Sequence, residues 1–235
     1  MRVKLLSHTP DPEQVVATAA RLCYAAIDLD TLEERGSQFD NAGMIDKVLA
    51  MGHYGVLEHA VYTFGIEGVS RALTHQLVRH RLASYAQQSQ RYVAFDEGFA
   101  YETPPSVAAR PELAARFHVE MERLSGFYKE LREAGIAAED ARFVLPNAVH
   151  SRLIMTMNAR ELRHFFRLRC CRRAQWEIRS LALALLTRVV AVSPALFQGA
   201  GPACLSGDCP EGEMGCGAAD GVRREFAAIF PPPAD

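Results

Sequence analysis

No run of apolar residues in the 235-residue chain approaches the roughly 18 that a membrane-spanning helix needs. The apolar run within Met1 to His8 is too short for a secretory signal, so a cytoplasmic location is expected. Excess charge is missing too: 26 Lys and Arg against 28 Asp and Glu leave a net charge of −2. That balance excludes a general nucleic-acid coat, which needs a basic domain. Six cysteines in a chain this long do not make a disulfide scaffold. No G-x-G-x-x-G follows a strand, and no G-x-x-x-x-G-K-[ST] occurs. A dinucleotide bound here must therefore have its phosphates held by side chains. There is no internal repeat. The 49% hydrophobic content suffices for one sizeable globular domain.

What is present is a long window without acid. From Arg71 to Arg91 no carboxylate occurs, yet the window holds Arg71, Arg79, Arg81, Arg91, His75 and His80. A solvated basic face normally mixes in Asp and Glu. Guanidinium groups match phosphate or carboxylate oxygens two at a time. The interleaved Ser84, Gln87, Gln88, Ser89 and Gln90 add neutral donors and acceptors suited to a base and sugar.

The local patterns mix strands and helices without a βαβ rhythm, which favours α+β: helices with a small, mostly antiparallel sheet in a single domain. Strands are expected at 2–7, 60–66 and 149–157. Helices are expected at 15–25, 41–51, 70–81 and 106–134, and through most of 158–192, with Pro194 closing that region. Residues 84–91 read as irregular. A Gly-, Pro- and Cys-rich tail, 199–235, follows a domain spanning 1–198, and its 199–217 stretch reads as an appended loop. Cys23 falls in an apolar helical pattern and reads as core.

Periodicity in 158–169 isolates one residue. Leu162, Phe165 and Phe166 mark an apolar face, with Arg160, Arg163 and Arg167 opposite. Arg169 lies seven residues after Leu162 and four after Phe165, so it projects from the apolar side, where a charge is costly unless paired. Either it pairs with a hidden acid, or the helix ends before it, or its partner is a ligand.

The pattern R-H-R-x-x-S-x-x-x-x-S-x-R across Arg79 to Arg91 resembles the signature of the flavin-dependent thymidylate synthases, with Ala86 where Asn is usual. Gly52-His53, Leu57-Glu58-His59, Ala141-Arg142 before Leu145-Pro146, Asn158-Ala159-Arg160, and Arg169 before Ala174-Gln175-Trp176-Glu177 agree in order over residues 1–198. The resemblance implies reductive methylation of dUMP to dTMP, with carbon from methylenetetrahydrofolate and reducing equivalents from NADPH by way of FAD. It implies FAD contacts at His53, Gly55, Arg79, His80, Arg81, Gln87, Asn158, Ala159, Arg160 and His164. It implies dUMP contacts at Gln76, Leu77, Val78, Arg79, Gln87, Gln88, Ser89, Gln90, Arg91, Arg142 and Arg169. Arg169 would stabilise negative charge on the uracil as hydride arrives. The family's homotetramers share each site between subunits.

The competing reading is a non-catalytic nucleotide- or RNA-binding protein that uses the same basic segments. It needs exposed aromatics for base stacking, and only Tyr85 and Tyr92 lie near the motif. Glu58-His59 is not part of an H-E-x-x-H and reads as an ordinary helix-to-strand pair. Cys204, Cys209 and Cys216 are spaced x4 and x6, only a partial match to zinc ligands, and are read as free thiols or a redox pair, with no metal. No cysteine falls inside the substrate motif. Changing all six to Ser or Ala should therefore leave dTMP formation measurable. Loss of turnover on changing one cysteine, in a folded and flavin-loaded protein, contradicts this.

Overall fold

A computed structural model of the chain describes residues 1–230, apart from the side chains of Glu33, Arg35 and Ser37. The last five residues of the tail, 231–235, lie outside the described residues. Strands β1 (Arg2–His8), β2 (Val61–Ser70), β3 (Ala83–Gln87) and β4 (His150–Asn158) form a four-stranded antiparallel sheet in the order β1-β2-β4-β3. The helices are α1 (Pro12–Tyr24), α2 (Leu29–Arg35), α3 (Asn41–Ala50), α4 (Arg71–Leu77), α5 (Pro105–Ala108) and α6 (Pro111–Glu133). After them come α7 (Ala138–Ala141), α8 (Ala159–Arg169), α9 (Trp176–Val192), α10 (Pro194–Phe197) and α11 (Ala219–Ala227). The α+β class holds. Among the described residues no helix is long and apolar enough to cross a membrane.

Where one domain is expected, chain contacts define two compact units. The first takes Met1–Lys4, Gly65–Arg79 and Tyr85–Met155; the second takes Leu5–Phe64, His80–Ser84 and Thr156–Asp235. Each strand carries residues of both.

In the second unit, α9 places Ile178, Leu181, Ala182, Leu185, Leu186 and Val189 at helical spacing, and all are fully buried. α9 packs against α8 and α10. Aromatic edges fill the space: Tyr62 meets Phe197 at 5.4 Å, and Phe166 meets both Phe197 and Phe165. The tail from Gly199 is more than loop. α11 buries Val222 and Phe226 and packs against the 3-10 turn Ala203–Leu205. Gly201 has φ 154°, and a Cβ there would stand 2.5 Å from Leu205 and 2.7 Å from Phe226, so only glycine fits. Cys23 is exposed, contrary to the core reading, because α1 turns Val16, Ala17 and Ala20 inward instead.

In the first unit, α4 is capped by Ser70, whose Oγ accepts the Leu73 N–H at 3.0 Å. It ends at Leu77, four residues short of the expected boundary. Residues expected to be irregular form β3, held as a strand by backbone bonding that its polar composition does not advertise; Gln88 N–H continues it onto the Arg152 carbonyl at 2.9 Å. The long helix is α6, yet it buries only Met121 and Tyr128, while Val119 and Phe127 remain exposed.

The Tyr62 hydroxyl donates to Ser193 Oγ at 2.7 Å, and both residues are fully buried. Tyr62→Phe should cost about 1–3 kcal/mol in denaturant unfolding, because Ser193 loses its partner in a dry site. Tyr62→Phe combined with Ser193→Ala should cost less than the two single effects summed. Strict additivity would show that the pair does not couple.

Candidate functional site

In the second unit the site is built on α8. Asn158 stands in extended backbone and accepts the Glu161 N–H at 2.9 Å, which starts the helix. Ala159 is fully buried, and its N–H goes to the Ala60 carbonyl at 2.8 Å, so it brings backbone only. Arg160 is exposed and pairs with Glu58 at 2.6 Å. Glu58 thus serves as an arginine partner. Arg163, expected on the polar face, turns inward and donates to the carbonyls of Leu196 (2.8 Å) and Gln198 (3.2 Å). Burial holds its pKa below the ordinary value, with Tyr54 opposing.

Glu58, Asn158, Arg160 and Arg163 line a cavity of about 570 Å³, together with Tyr54, Leu57, Leu82, Glu161, His164 and Arg167, whereas Ala159 does not. Residues 199–203 and Ser206 of the tail form its far wall. The size is that of a small-molecule site. The N-terminus of the 11-residue α8, with Arg160 in its first turn and Arg163 and Arg167 further along the helix on the same cavity, offers donors for a pyrophosphate. The side chains present therefore fit a flavin dinucleotide. His53 bonds through Nδ1 to the Tyr24 hydroxyl and stacks on that ring at 5.9 Å. Neither His53 nor Gly55 lines the cavity; their neighbour Tyr54 does. Arg81 is exposed.

Arg169 closes α8, half-buried, as its periodicity requires. Its Nε donates to His80 Nε2 at 3.0 Å, and His80 Nδ1 lies 3.3 Å from Glu161 Oε1. His80 and Glu161 are each only 5% exposed, so the His80 ring is a buried link between helix side chains. Burial, then Arg169, then His164, hold the His80 pKa down at about 4.

A second cavity, of about 1000 Å³, has Arg167, Arg169, Arg172, Arg173 and Arg224 and also Cys171, Cys204, Cys209 and Cys216 in its lining. All six cysteines are free thiols. Burial pushes Cys170 up to about 12, which makes it inert near neutrality. Burial raises Cys204 too, with the Cys171, Cys209 and Cys216 thiols adding to the effect. Among the described residues no three His, Cys, Asp or Glu side chains stand close enough to hold a metal ion.

The first unit gathers the other motif residues. Gln87 donates to Ser151 Oγ at 2.8 Å and Thr74 Oγ1 at 3.1 Å. Leu77 is fully buried and its carbonyl accepts the Tyr85 hydroxyl at 2.9 Å. Tyr85 is thereby tied down and half-buried, a poor stacking platform. Gln76, Gln88, Ser89 and Gln90 are half-buried, and Val78, Arg79 and Arg91 exposed. Arg91 pairs with Glu139 at 2.8 Å, while Arg142 donates to the Glu139 carbonyl at 3.0 Å. Arg142 also lies close enough to Arg71 to help burial lower the Arg71 pKa.

Glu161, Tyr54 and the tail wall are absent from the sequence reading. Glu161 carried a signal, since Asn158 followed three residues later by Glu161 is a helix-start pattern. Nothing in the sequence marks Tyr54 or the tail wall.

Fold and site together define an α+β protein with a cationic, ligand-sized cavity on a capped helix. The family model of the thymidylate synthase complementing proteins matches residues 4–195. The flavin-dependent thymidylate synthase of Geobacter sulfurreducens is 56% identical over 227 residues, 96% of this chain and 98% of that protein. That of Clostridium tetani is 45% identical over 96% of this chain and 97% of its own length. That of Pyrococcus furiosus is 43% identical over 91% of each. The chain belongs to the thymidylate synthase complementing protein family. Coverage of 96% reaches into the tail, which the motif resemblance stops short of.

The lowered His80 pKa has a consequence for stability. The unfolded chain takes up a proton near 6.5 and the folded chain only near 4, so the contribution is complete above pH 6.5 and is lost as pH falls toward 4. Its size is up to about 3 kcal/mol. Glu161, raised by burial with His164 opposing, acts with the opposite sign. The difference between wild type and His80→Gln isolates the histidine: urea melts should converge as pH drops from 6.5 to 4. A constant difference across that window contradicts the assignment.

Proposed function

We infer that the chain carries out the reductive methylation of dUMP to dTMP, with methylenetetrahydrofolate as carbon donor and NADPH as reductant. The observation that carries the mechanism is Arg169: a half-buried guanidinium at the end of α8 that donates to an uncharged imidazole. Its charge is left uncompensated by that contact, so it is available to an anion. FAD, when bound, supplies the hydride equivalents drawn from NADPH. The protein's work is to bind, orient and stabilise charge.

The α8 N-terminus with Arg160 and Arg163 would hold the dinucleotide, with Asn158, His164 and the carbonyls nearby orienting it. Arg79, Gln87, Gln88, Ser89, Arg91 and Arg142 would receive dUMP. The Arg91–Glu139 pair is half-exposed on both sides, so it is weak enough to yield to a phosphate. Arg169 would stabilise the negative charge that develops on the uracil ring. The working form would be a cytoplasmic homotetramer with sites shared between subunits. In support, Phe143, Tyr92 and Leu82 are 83%, 81% and 72% exposed, large apolar side chains that a partner copy would cover.

Purified protein should be yellow, and FAD should raise its melting temperature. Arg169→Ala should lower dTMP formation on the order of a hundredfold while the protein stays folded and yellow, the scale seen when one preorganised donor is removed. Arg169→Lys should recover little, because an ammonium lacks the planar fork. Wild-type turnover in Arg169→Ala removes its catalytic role; loss of flavin or of fold makes the residue structural.

A further inference from the structure

Arg169 cannot act as an acceptor, since a guanidinium in a protein keeps its protons. Its Nε lies 3.0 Å from His80 Nε2, so that ring nitrogen must offer a lone pair. An imidazole with a bare Nε2 is uncharged and carries its one proton on Nδ1. Nδ1 faces Glu161 Oε1 at 3.3 Å, and the carboxyl oxygen accepts that proton's hydrogen bond. The arginine thus reveals where the protons lie: donor, acceptor, donor, acceptor along one line. Glu161 and Arg169 stand eight residues apart on α8, about 12 Å along its axis, and one imidazole from residues 80–84 spans between them.

We propose that His80 and Glu161 are positioning residues, a relay in which the Glu161 carboxyl fixes the Nδ1–H form of His80 and His80 in turn fixes the orientation of the Arg169 guanidinium. The relay rests on the catalytic reading of Arg169. The groups facing His80 include Glu161, Arg169, the His164 ring at 6.1 Å and the Phe165 edge at 4.9 Å. Phe165 and the burial of both relay members keep water from competing for the two bonds. Glu161 is itself anchored, its N–H held by the Asn158 cap. Both ends of the relay are therefore tied to the helix that lines the flavin-sized cavity. A long arginine side chain would otherwise sample many rotamers; here one of its donors is spent on holding still, and the terminal nitrogens remain for a ligand.

Two measurements test this. The first uses wild-type protein labelled with 15N-histidine, with the His80 signals identified by their loss in His80→Gln. Imidazole nitrogen shifts at pH 7 should report Nδ1–H and a bare, hydrogen-bonded Nε2, the reverse of the tautomer that free histidine favours. An Nε2–H tautomer or an imidazolium overturns the relay. The second is kinetic. Glu161→Leu removes the acceptor, and His80→Phe keeps a ring without nitrogen. Each should lower kcat for dTMP formation on the order of tenfold, the scale of losing a residue that orients a catalytic group. KM for dUMP and flavin content should change little. His80→Gln, whose amide oxygen reaches the ε position, should recover part of the loss, and Glu161→Leu should release His80 to the Nε2–H form. Arg169→Ala separates the two levels. If it turns over dUMP normally, the reading of the site fails. If it is inactive while His80→Phe and Glu161→Leu keep wild-type kcat, the relay is wrong and the reading stands. Should the buried variants not fold, the tautomer in the wild-type protein decides.

Discussion

Everything at the candidate site depends on a helix that turns charge inward. α8 needs its apolar residues Leu162, Phe165 and Phe166 in the core, and the same rotation brings Glu161, Arg163 and Arg169 toward the interior. Charges taken out of water are tolerated when each is given partners. Arg163 takes two backbone carbonyls, and Arg169 and Glu161 take opposite sides of one imidazole. Among the described residues no buried side-chain nitrogen or oxygen lacks a hydrogen bond. Such a network is stiff, because releasing one member strands another. A stiff guanidinium is what charge stabilisation in a reaction requires, since little reorganisation is left to do when the charge appears.

Much of this was legible in the chain. Arg169 declared itself by falling on the apolar stripe of a 3.6-residue pattern, and its half-buried position bears that out. The acid-free motif identified the family. The α+β class followed from the mixed patterns and β2 from alternation, and β4 falls within a residue of its expected bounds. The failures have physical causes. β3 is a polar strand stabilised by backbone bonding to β4, which side-chain pattern cannot reveal. α4 stops at Leu77 through a tight turn with no glycine or proline to signal it. Cys23 sits beside buried positions of α1 but on the other side of the helix. Most telling is His80: its neighbours in sequence belong to a ligand-binding motif, yet its ring is buried between two α8 side chains, a long-range contact that no local rule reports.

The tail shows the same limit. Its Gly, Pro and Cys content reads as loop, but α11 anchors it, Gly201 lets the chain pass against Phe226, and residues 199–203 wall the cavity. Arg223 fastens it further by donating to the carbonyls of Cys204 and Gly207. The relatives from Geobacter sulfurreducens and Clostridium tetani match over lengths that take in most of this segment, beyond the family model's boundary at residue 195. The cavity wall is thus made by a part of the chain that the shared motifs do not include.

The central claim is that the chain forms dTMP with electrons that come from NADPH through a bound flavin. Turning a transferred methylene into a methyl takes one hydride. If NADPH supplies it, the folate leaves as tetrahydrofolate; if the folate supplies it, as dihydrofolate. Products should therefore be counted after incubating the flavin-loaded protein with dUMP, methylenetetrahydrofolate and NADPH without oxygen. The account predicts one dTMP and one tetrahydrofolate for each NADPH oxidised, with no product from flavin-free protein. Dihydrofolate in step with dTMP, or undiminished dTMP from flavin-free protein, would contradict it.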